Sequence, residues 1–186
     1  MMKRTFFAVD IPLNEIMAGV LPELRNQLKG EKIKWISADQ LHLTLKFLGD
    51  TPENAVQSII NAVSAPLSQI PVMTLTLCSV GLFKNLHNPR IIWIGTEPCP
   101  SLQQAVHSIH ERLLPFGFAA DETEFLPHLT LGRVKEIKQR ELLNMLLDKY
   151  QHASFGTVSI TEIVFYESIL KPEGPVYLPL KHIPLL

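Results

Sequence analysis

The tetrapeptide His42-Leu43-Thr44-Leu45 recurs letter for letter as His128-Leu129-Thr130-Leu131, 86 residues further along the chain (128 − 42). Both copies lie in β-prone segments, which predict strands over 41–48 and 125–134. Because side chains alternate faces along a strand, each copy predicts one face with an imidazole and a hydroxyl about 7 Å apart and an opposite face of leucines. Two such strands, placed side by side or across a pseudo-twofold axis, would bring two histidines and two threonines into one cleft.

This combination of side chains suits phosphoryl chemistry. Two imidazoles can act as one base and one acid near neutral pH, since the ordinary pKa of histidine is about 6.5. Hydroxyl groups and a nearby cation would hold the non-bridging oxygens of a phosphate. We therefore predict His42 and His128 as catalytic residues and Thr44 and Thr130 as substrate-binding residues.

The residues alone leave two other interpretations open. The pattern His-x-Thr also suits a half-buried polar face of an ordinary amphipathic strand. Histidine is moreover the commonest metal ligand, although no Asp, Glu or Cys accompanies either histidine on its strand face. We predict no metal and no cofactor, since nucleotide-cradling glycine motifs are also absent from the sequence.

Arg133 is the natural candidate for the cation that would bind phosphate. It follows His128 by five residues, so strict strand alternation places it on the leucine face, away from the two histidines. A bulge at Gly132, or the end of the strand there, would reverse this direction. We predict Arg133 as a substrate-binding residue on that condition.

Composition restricts the class of protein. The 186 residues suffice for one compact domain, and a net charge of −1 provides no global positive field for long nucleic acids. Cys78 and Cys99 form neither a disulfide framework nor a CxxC motif, which favours a reducing compartment. The apolar run 6–9 is too short for a signal peptide, and no segment has the length of a membrane span. We predict a soluble cytoplasmic protein.

Strands and helices alternate, but many strands show period-two patterning instead of the solid apolar runs of a buried parallel sheet. This favours an α+β fold with antiparallel sheets over a doubly wound one. The first helix is predicted over 13–29 with an interruption at Pro22, the second is capped by Thr51, and the third has a capping box of Ser101 and Gln104. A fourth helix is predicted over 140–150, and further strands over 4–9, 33–36, 73–80, 90–95, 158–166 and 176–180.

The flanks of the repeat resemble a known family. The stretch Gln40-Leu41-His42-Leu43-Thr44-Leu45-Lys46-Phe47-Leu48-Gly49 is similar to the first signature of the RNA 2′,3′-cyclic phosphodiesterases (2′-5′ RNA ligase-like) of the two-histidine phosphoesterase superfamily. Pro127-His128-Leu129-Thr130-Leu131-Gly132-Arg133-Val134 resembles the second signature, with Gly132 where alanine is usual. Segments 4–9, 34–36, 90–95 and 166–168 also resemble the family, so the similarity covers nearly the whole chain.

The resemblance implies a single two-lobed domain over 1–186, with two antiparallel sheets flanked by helices, pseudo-twofold symmetry and the active-site cleft between the lobes. It implies hydrolysis of RNA ends bearing a 2′,3′-cyclic phosphate to 2′-phosphomonoesters, with weak reversible 2′-5′ ligation. By this analogy His128 is the base, His42 the acid, and Thr44, Thr130 and Arg133 hold the phosphate. No protein partner is implied. A non-catalytic module that binds nucleotides or RNA ends, and a phosphodiesterase for small cyclic nucleotides, remain alternatives.

Overall fold

The computed structural model describes residues 1–84, 87–119, 124–172 and 174–186. Along these residues nine strands and four α-helices alternate. The strands are β1 (Met2–Asp10), β2 (Lys32–Trp35), β3 (His42–Pro52), β4 (Met73–Phe83), β5 (Ile91–Thr96), β6 (His128–Glu136), β7 (Ser154–Ile160), β8 (Glu162–Lys171) and β9 (Gly174–Pro184). The helices are α1 (Glu15–Gln27), α2 (Glu53–Leu67), α3 (Pro100–Leu113) and α4 (Arg140–Tyr150).

All described strand pairs are antiparallel, which confirms the predicted α+β class. The strands pair in the order β7-β4-β5-β6-β3-β1-β8-β9, with β2 added alongside β6. Two halves of this sheet meet at a single residue pair, Leu43 of β3 opposite Leu129 of β6. The two predicted antiparallel sheets are thus the two halves of one sheet, joined at the repeated tetrapeptide.

The two halves are arranged alike around this junction. Outward from it, β3 is followed in the sheet by β1 and then β8, and β6 is followed by β5 and then β4. In the chain, β1 leads through α1 to β3, and β5 leads through α3 to β6. This correspondence is the predicted pseudo-twofold symmetry, and it places one copy of the repeat on each side of the axis.

The helices pack on the sheet in two pairs. α1 packs on β7 and α4 on β4, while α2 and α3 pack on each other and on β3. Glu23 links the first pair by accepting hydrogen bonds from Lys149 Nζ (2.5 Å) and the Tyr150 hydroxyl (2.8 Å). Against this layer the sheet buries the four leucines of the repeat, which are at most 2% exposed. Burying one such side chain stabilises the fold by about 1.5–3 kcal/mol, so the leucines anchor the strands that carry the histidines.

Several strand boundaries differ from the prediction. The predicted strand 125–134 begins only at His128, since Pro127 before it has no N–H group to donate to a neighbouring strand. The predicted strand 158–166 is two strands, because β7 ends at Ile160 and β8 begins at Glu162.

The predicted starts of three helices were also wrong. Asn14 caps α1 by accepting a hydrogen bond from the Met17 N–H (2.9 Å), and the helix continues through Pro22. Thr51 stays in β3, where its buried hydroxyl lies 2.7 Å from that of Thr5, and α2 therefore begins at Glu53. The third helix, α3, begins one residue before Ser101 and has no side-chain cap. In the described part of the chain, no helix combines the length and apolarity needed to cross a membrane.

Candidate active site

The two copies of the repeat border one cavity at the junction of the sheet halves. Its volume is about 420 Å³. In an antiparallel pair centred on Leu43 and Leu129, the flanking residues lie across from each other: His42 from Thr130, and Thr44 from His128. The structure thus brings together the five residues predicted from the sequence, since the cavity wall includes His42, Thr44, His128, Thr130 and Arg133.

A β-bulge in each repeat strand explains why Arg133 reaches this cavity. In the pairing of β5 with β6, Ile92 lies opposite Gly132 and Trp93 opposite Thr130, so Leu131 is the extra residue. One extra residue reverses the alternation of side chains beyond it. Arg133 therefore faces the histidine side of the sheet, and the bulge lies one residue before the predicted position at Gly132.

The first repeat strand contains the same irregularity. In the pairing of β1 with β3, Phe7 lies opposite Lys46 and Ala8 opposite Thr44, which makes Leu45 the extra residue. At the position equivalent to Arg133, this strand has Phe47, which is 60% exposed and also borders the cavity. The cation and the aromatic ring thus occupy equivalent places on the two sides of the site.

Both imidazoles are oriented by the same backbone contact. His42 Nδ1 lies 2.8 Å from the carbonyl oxygen of Gln40, and His128 Nδ1 lies 2.8 Å from that of Leu126. A carbonyl oxygen only accepts hydrogen bonds, so each Nδ1 carries a proton and donates it. The other ring nitrogen, Nε2, is left to accept a proton in the neutral imidazole and to donate one in the charged form.

Burial lowers the pKa of both histidines below the ordinary value for imidazole. The positive charge of Arg133 lowers the pKa of each further, and a backbone hydrogen bond opposes the change in each case. The pKa of His42 has two additional influences: the negative charge of Asp10 acts to raise it and the charge of His128 acts to lower it. The two imidazoles are therefore close enough to affect each other's titration.

Aromatic rings fix the outer side of each imidazole. The Tyr177 ring meets His42 edge-on with centroids 5.0 Å apart, and the Phe83 ring meets His128 edge-on at 4.5 Å. Phe6, which is buried, also contacts His42 at 5.3 Å. These contacts exclude water from part of each ring and account for the burial that lowers the pKa values.

The charges around the cavity favour an anion. Arg4 and Arg133 border it, and no Asp or Glu is among the described residues of its wall. Lys34 lies directly opposite Arg133 in the pairing of β2 with β6, so it adds positive charge on the same face. Like charges placed opposite each other destabilise a sheet, and a bound anion would remove that repulsion.

Over the described residues, no group of three or more His, Cys, Asp or Glu side chains has the arrangement of a metal site. The absence of a metal requirement stays a prediction.

Sequence reasoning missed Arg4, Tyr177 and Asp10 as members or close neighbours of the site. Arg4 and Tyr177 border the cavity, and Asp10 lies opposite His42 in the pairing of β1 with β3. The first strand offers a signal for Asp10, because a carboxylate ends an otherwise apolar run at 6–9. The position of Asp10 beside His42, however, depends on the register between two strands that are far apart in sequence.

Comparison with known proteins identifies the class of protein to which this fold and site belong. The sequence model of the family described as LigT like phosphoesterase matches the chain twice, over residues 11–93 and 94–177. Each match contains one copy of the repeat, although both matches run across the two halves of the sheet, since the first includes β4 and the second includes β8. The chain therefore belongs to the LigT-like phosphoesterase family.

Individual relatives match over nearly their whole length. A protein of Methanocaldococcus jannaschii named RNA 2′,3′-cyclic phosphodiesterase is 36% identical over 174 residues, which cover 94% of this chain and 96% of the relative. A protein of Archaeoglobus fulgidus with the same name is 34% identical over 178 residues, covering 96% and 98%. The crystal structure of E. coli LigT complexed with 3′-AMP has a TM-score of 0.79 and 26% identity, covering 100% of this chain and 99% of LigT.

Proposed function

We propose that this protein hydrolyses RNA ends that bear a 2′,3′-cyclic phosphate to 2′-phosphomonoesters. The observation that carries the proposal is the pair of imidazoles on one anion-favouring cavity, each with Nδ1 bound to a backbone carbonyl and Nε2 left for proton transfer. The family and the names of its relatives support the reaction class. A cavity of about 420 Å³ is of the size that encloses a small-molecule ligand, which suits a terminal nucleotide.

The proposed step is an in-line displacement at phosphorus. His128 Nε2 accepts a proton from a water molecule whose oxygen bonds to the phosphorus atom. The bond between phosphorus and the 3′ oxygen breaks, and His42 Nε2 donates a proton to that oxygen. The products are a 2′-phosphomonoester and a 3′-hydroxyl, and the enzyme is left with protonated His128 and neutral His42, which exchange protons with solvent before the next turnover.

Three side chains stabilise the charge that builds up on phosphate. The hydroxyls of Thr44 and Thr130 donate to its non-bridging oxygens, and the guanidinium of Arg133 adds hydrogen bonds and positive charge. The cyclic diester is strained, so it reacts without a metal ion. An RNA 5′-hydroxyl in place of water attacks the same phosphorus atom, breaks the same bond to the 3′ oxygen and forms a 2′-5′ phosphodiester, which is a weak and reversible ligation.

The proposal also covers the organisation and setting of the protein. Residues 1–186 form a single two-lobed domain, because the site needs one histidine from each half of the sheet. The two cysteines, Cys78 and Cys99, form no disulfide with each other, which is consistent with a cytoplasmic enzyme. No protein partner is required for the reaction.

Steady-state kinetics on two substrates of different size tests this function. The first is a short RNA ending in a 2′,3′-cyclic phosphate, and the second is a nucleoside 2′,3′-cyclic phosphate. We expect turnover of both and a higher kcat/KM for the RNA. Turnover of the mononucleotide alone would make the protein a small-molecule phosphodiesterase. Binding of RNA with no turnover would make it a binding module.

A further inference from the structure

The two histidines have nearly identical local surroundings, yet the proposed reaction needs one of them protonated and the other neutral. Each histidine begins a strand that contains a β-bulge. Each donates from Nδ1 to the carbonyl two residues before it and meets an aromatic ring edge-on. Arg133 lowers the pKa of both. None of these features decides which imidazole keeps a proton.

The neighbouring strands differ at one equivalent position. In the pairing of β1 with β3, Asp10 lies opposite His42, and in the pairing of β5 with β6, Gly95 lies opposite His128. Beside the pair of Asp10 and His42 in the ladder, Val9 pairs with Leu43, and both of these side chains are fully buried. Because side chains alternate faces along a strand, Asp10 and His42 face the opposite side of the sheet. The Asp10 carboxylate and the His42 imidazole are therefore cross-strand neighbours on the same face.

The position of the Asp10 carboxylate is fixed by Tyr166. The Tyr166 hydroxyl donates to both carboxylate oxygens of Asp10, at 2.9 and 2.7 Å. The Tyr166 ring stacks on Phe6 with centroids 5.3 Å apart, and Phe6 in turn contacts His42 at 5.3 Å. Among the described residues no Lys or Arg forms an ion pair with Asp10, so its negative charge remains available to the imidazole.

A second, smaller cavity of about 250 Å³ lies on this side of His42. Asp10, His42, Tyr166 and Tyr177 all border it, together with Asp39 and Gln40. The carboxylate and the imidazole therefore border one common cavity. A carboxylate in such a place favours the charged form of a neighbouring imidazole.

We propose that Asp10, held by Tyr166, is a positioning residue that keeps the proton on His42 and so makes His42 the acid and His128 the base. The assignment of acid and base rests on the proposed function, whereas the placement of the proton does not. The charged and titratable groups that face His42 are Asp10 from β1, Arg133 and His128 from β6, and Tyr177 from β9. Asp10 is the one negative charge among them, and it acts to raise the pKa of His42 against the lowering by burial.

The test is a histidine titration by NMR in the free protein, followed by pH–rate profiles. The variants are Asp10→Asn, which removes the charge and keeps the shape, and Asp10→Glu, which restores the charge. Asp39→Asn is the matched control, because Asp39 borders the same small cavity without facing His42 across the strands. Unfolding midpoints of all three variants check that the fold is kept.

We expect Asp10→Asn to lower the pKa of His42 and to leave that of His128 nearly unchanged, with Asp10→Glu and Asp39→Asn close to wild type. At pH 8.5 the kcat/KM of Asp10→Asn should fall roughly threefold to tenfold, whereas at pH 5.5 it should stay within about twofold. KM should change less than kcat, since Asp10 borders the smaller cavity and not the larger one that would hold the substrate.

Two results would overturn the inference: an unchanged pKa of His42 in Asp10→Asn, or equal shifts at His42 and His128. The titration requires no turnover, so its result does not depend on whether the protein hydrolyses a cyclic phosphate. If the protein fails to hydrolyse cyclic phosphate while Asp10→Asn still lowers the pKa of His42 selectively, the proton placement is upheld and the proposed function is what fails.

Discussion

Replacing Arg133 with Met removes a positive charge from the cavity and keeps the length and apolar stem of the side chain. Hydrogen bonds to charged groups contribute about 1.5–3 kcal/mol each, and about 1.36 kcal/mol corresponds to a tenfold change in rate. If Arg133 makes one such contact that strengthens in the transition state, kcat/KM should fall by about 10- to 150-fold in Arg133→Met.

The same substitution should move the pH–rate profile. The charge of Arg133 lowers the pKa of His42 and His128, so its removal raises both pKa values. The acid limb, where His128 must lose its proton, and the alkaline limb, where His42 must keep its proton, should both move to higher pH. The assay is steady-state hydrolysis of an RNA 2′,3′-cyclic phosphate between pH 4.5 and 9.5.

Arg133→Lys is the matched control for these two effects. It keeps the charge, so its profile should stay at the wild-type pH, but it loses the bidentate geometry and should show a reduced kcat/KM. Wild-type kinetics in Arg133→Met would show that Arg133 does not bind the substrate, since a cation that faces the cavity through the bulge at Leu131 must affect an anionic substrate.

The remaining predictions concern the histidine pair, the close packing beside it and metal removal. His42→Ala and His128→Ala should each lower kcat by about 10²–10⁴, and the double variant should be little worse; clearly additive losses would mean that the residues do not act in one step. Gly132→Ala places a Cβ 2.8 Å from Ile33 Cγ2 and should reduce the free energy of unfolding by about 1–3 kcal/mol. Gly19→Ala, an exposed helical control with no atom within 4 Å, should raise it by about 0.5–1 kcal/mol; equal effects in a denaturant titration would contradict the packing argument. The profile of kcat/KM should be bell-shaped with an acid limb below the ordinary pKa of imidazole, and excess EDTA should not change it; loss of activity restored by zinc or manganese would make the histidines ligands.

Local sequence was sufficient to predict the two repeat strands and the residues on their faces. His42 and Thr44 alternate with leucines at a period of two, and this alternation depends on the geometry of a strand and not on its neighbours. The copy at 128–131 behaves in the same way, and its leucines are as buried as those of the first copy. The antiparallel α+β class followed from the same period-two pattern in other strands.

Features that depend on pairing between distant strands could not be predicted in the same way. The direction of Arg133 depends on the bulge at Leu131, which is set by the register with β5. The contact of Asp10 with the site depends on the register of β1 against β3. Threonine is a residue type that commonly caps helices, but the Thr51 hydroxyl bonds to that of Thr5 across the sheet. Pairing between strands therefore overrides the local preference of Thr51 for a helix N-terminus.

The proposed hydrolysis is tested by identifying the product that the protein forms from a short RNA with a 2′,3′-cyclic phosphate. The RNA is incubated with wild-type protein in excess EDTA, and the end group is assigned by 31P NMR and by chromatography against authentic 2′- and 3′-phosphate standards. His42→Ala and His128→Ala serve as controls for contaminating activity. We expect a 2′-phosphomonoester with a free 3′-hydroxyl from the wild type and unreacted cyclic ends from both variants. A 3′-phosphate product, an unreacted wild-type sample or full activity in either variant would contradict it.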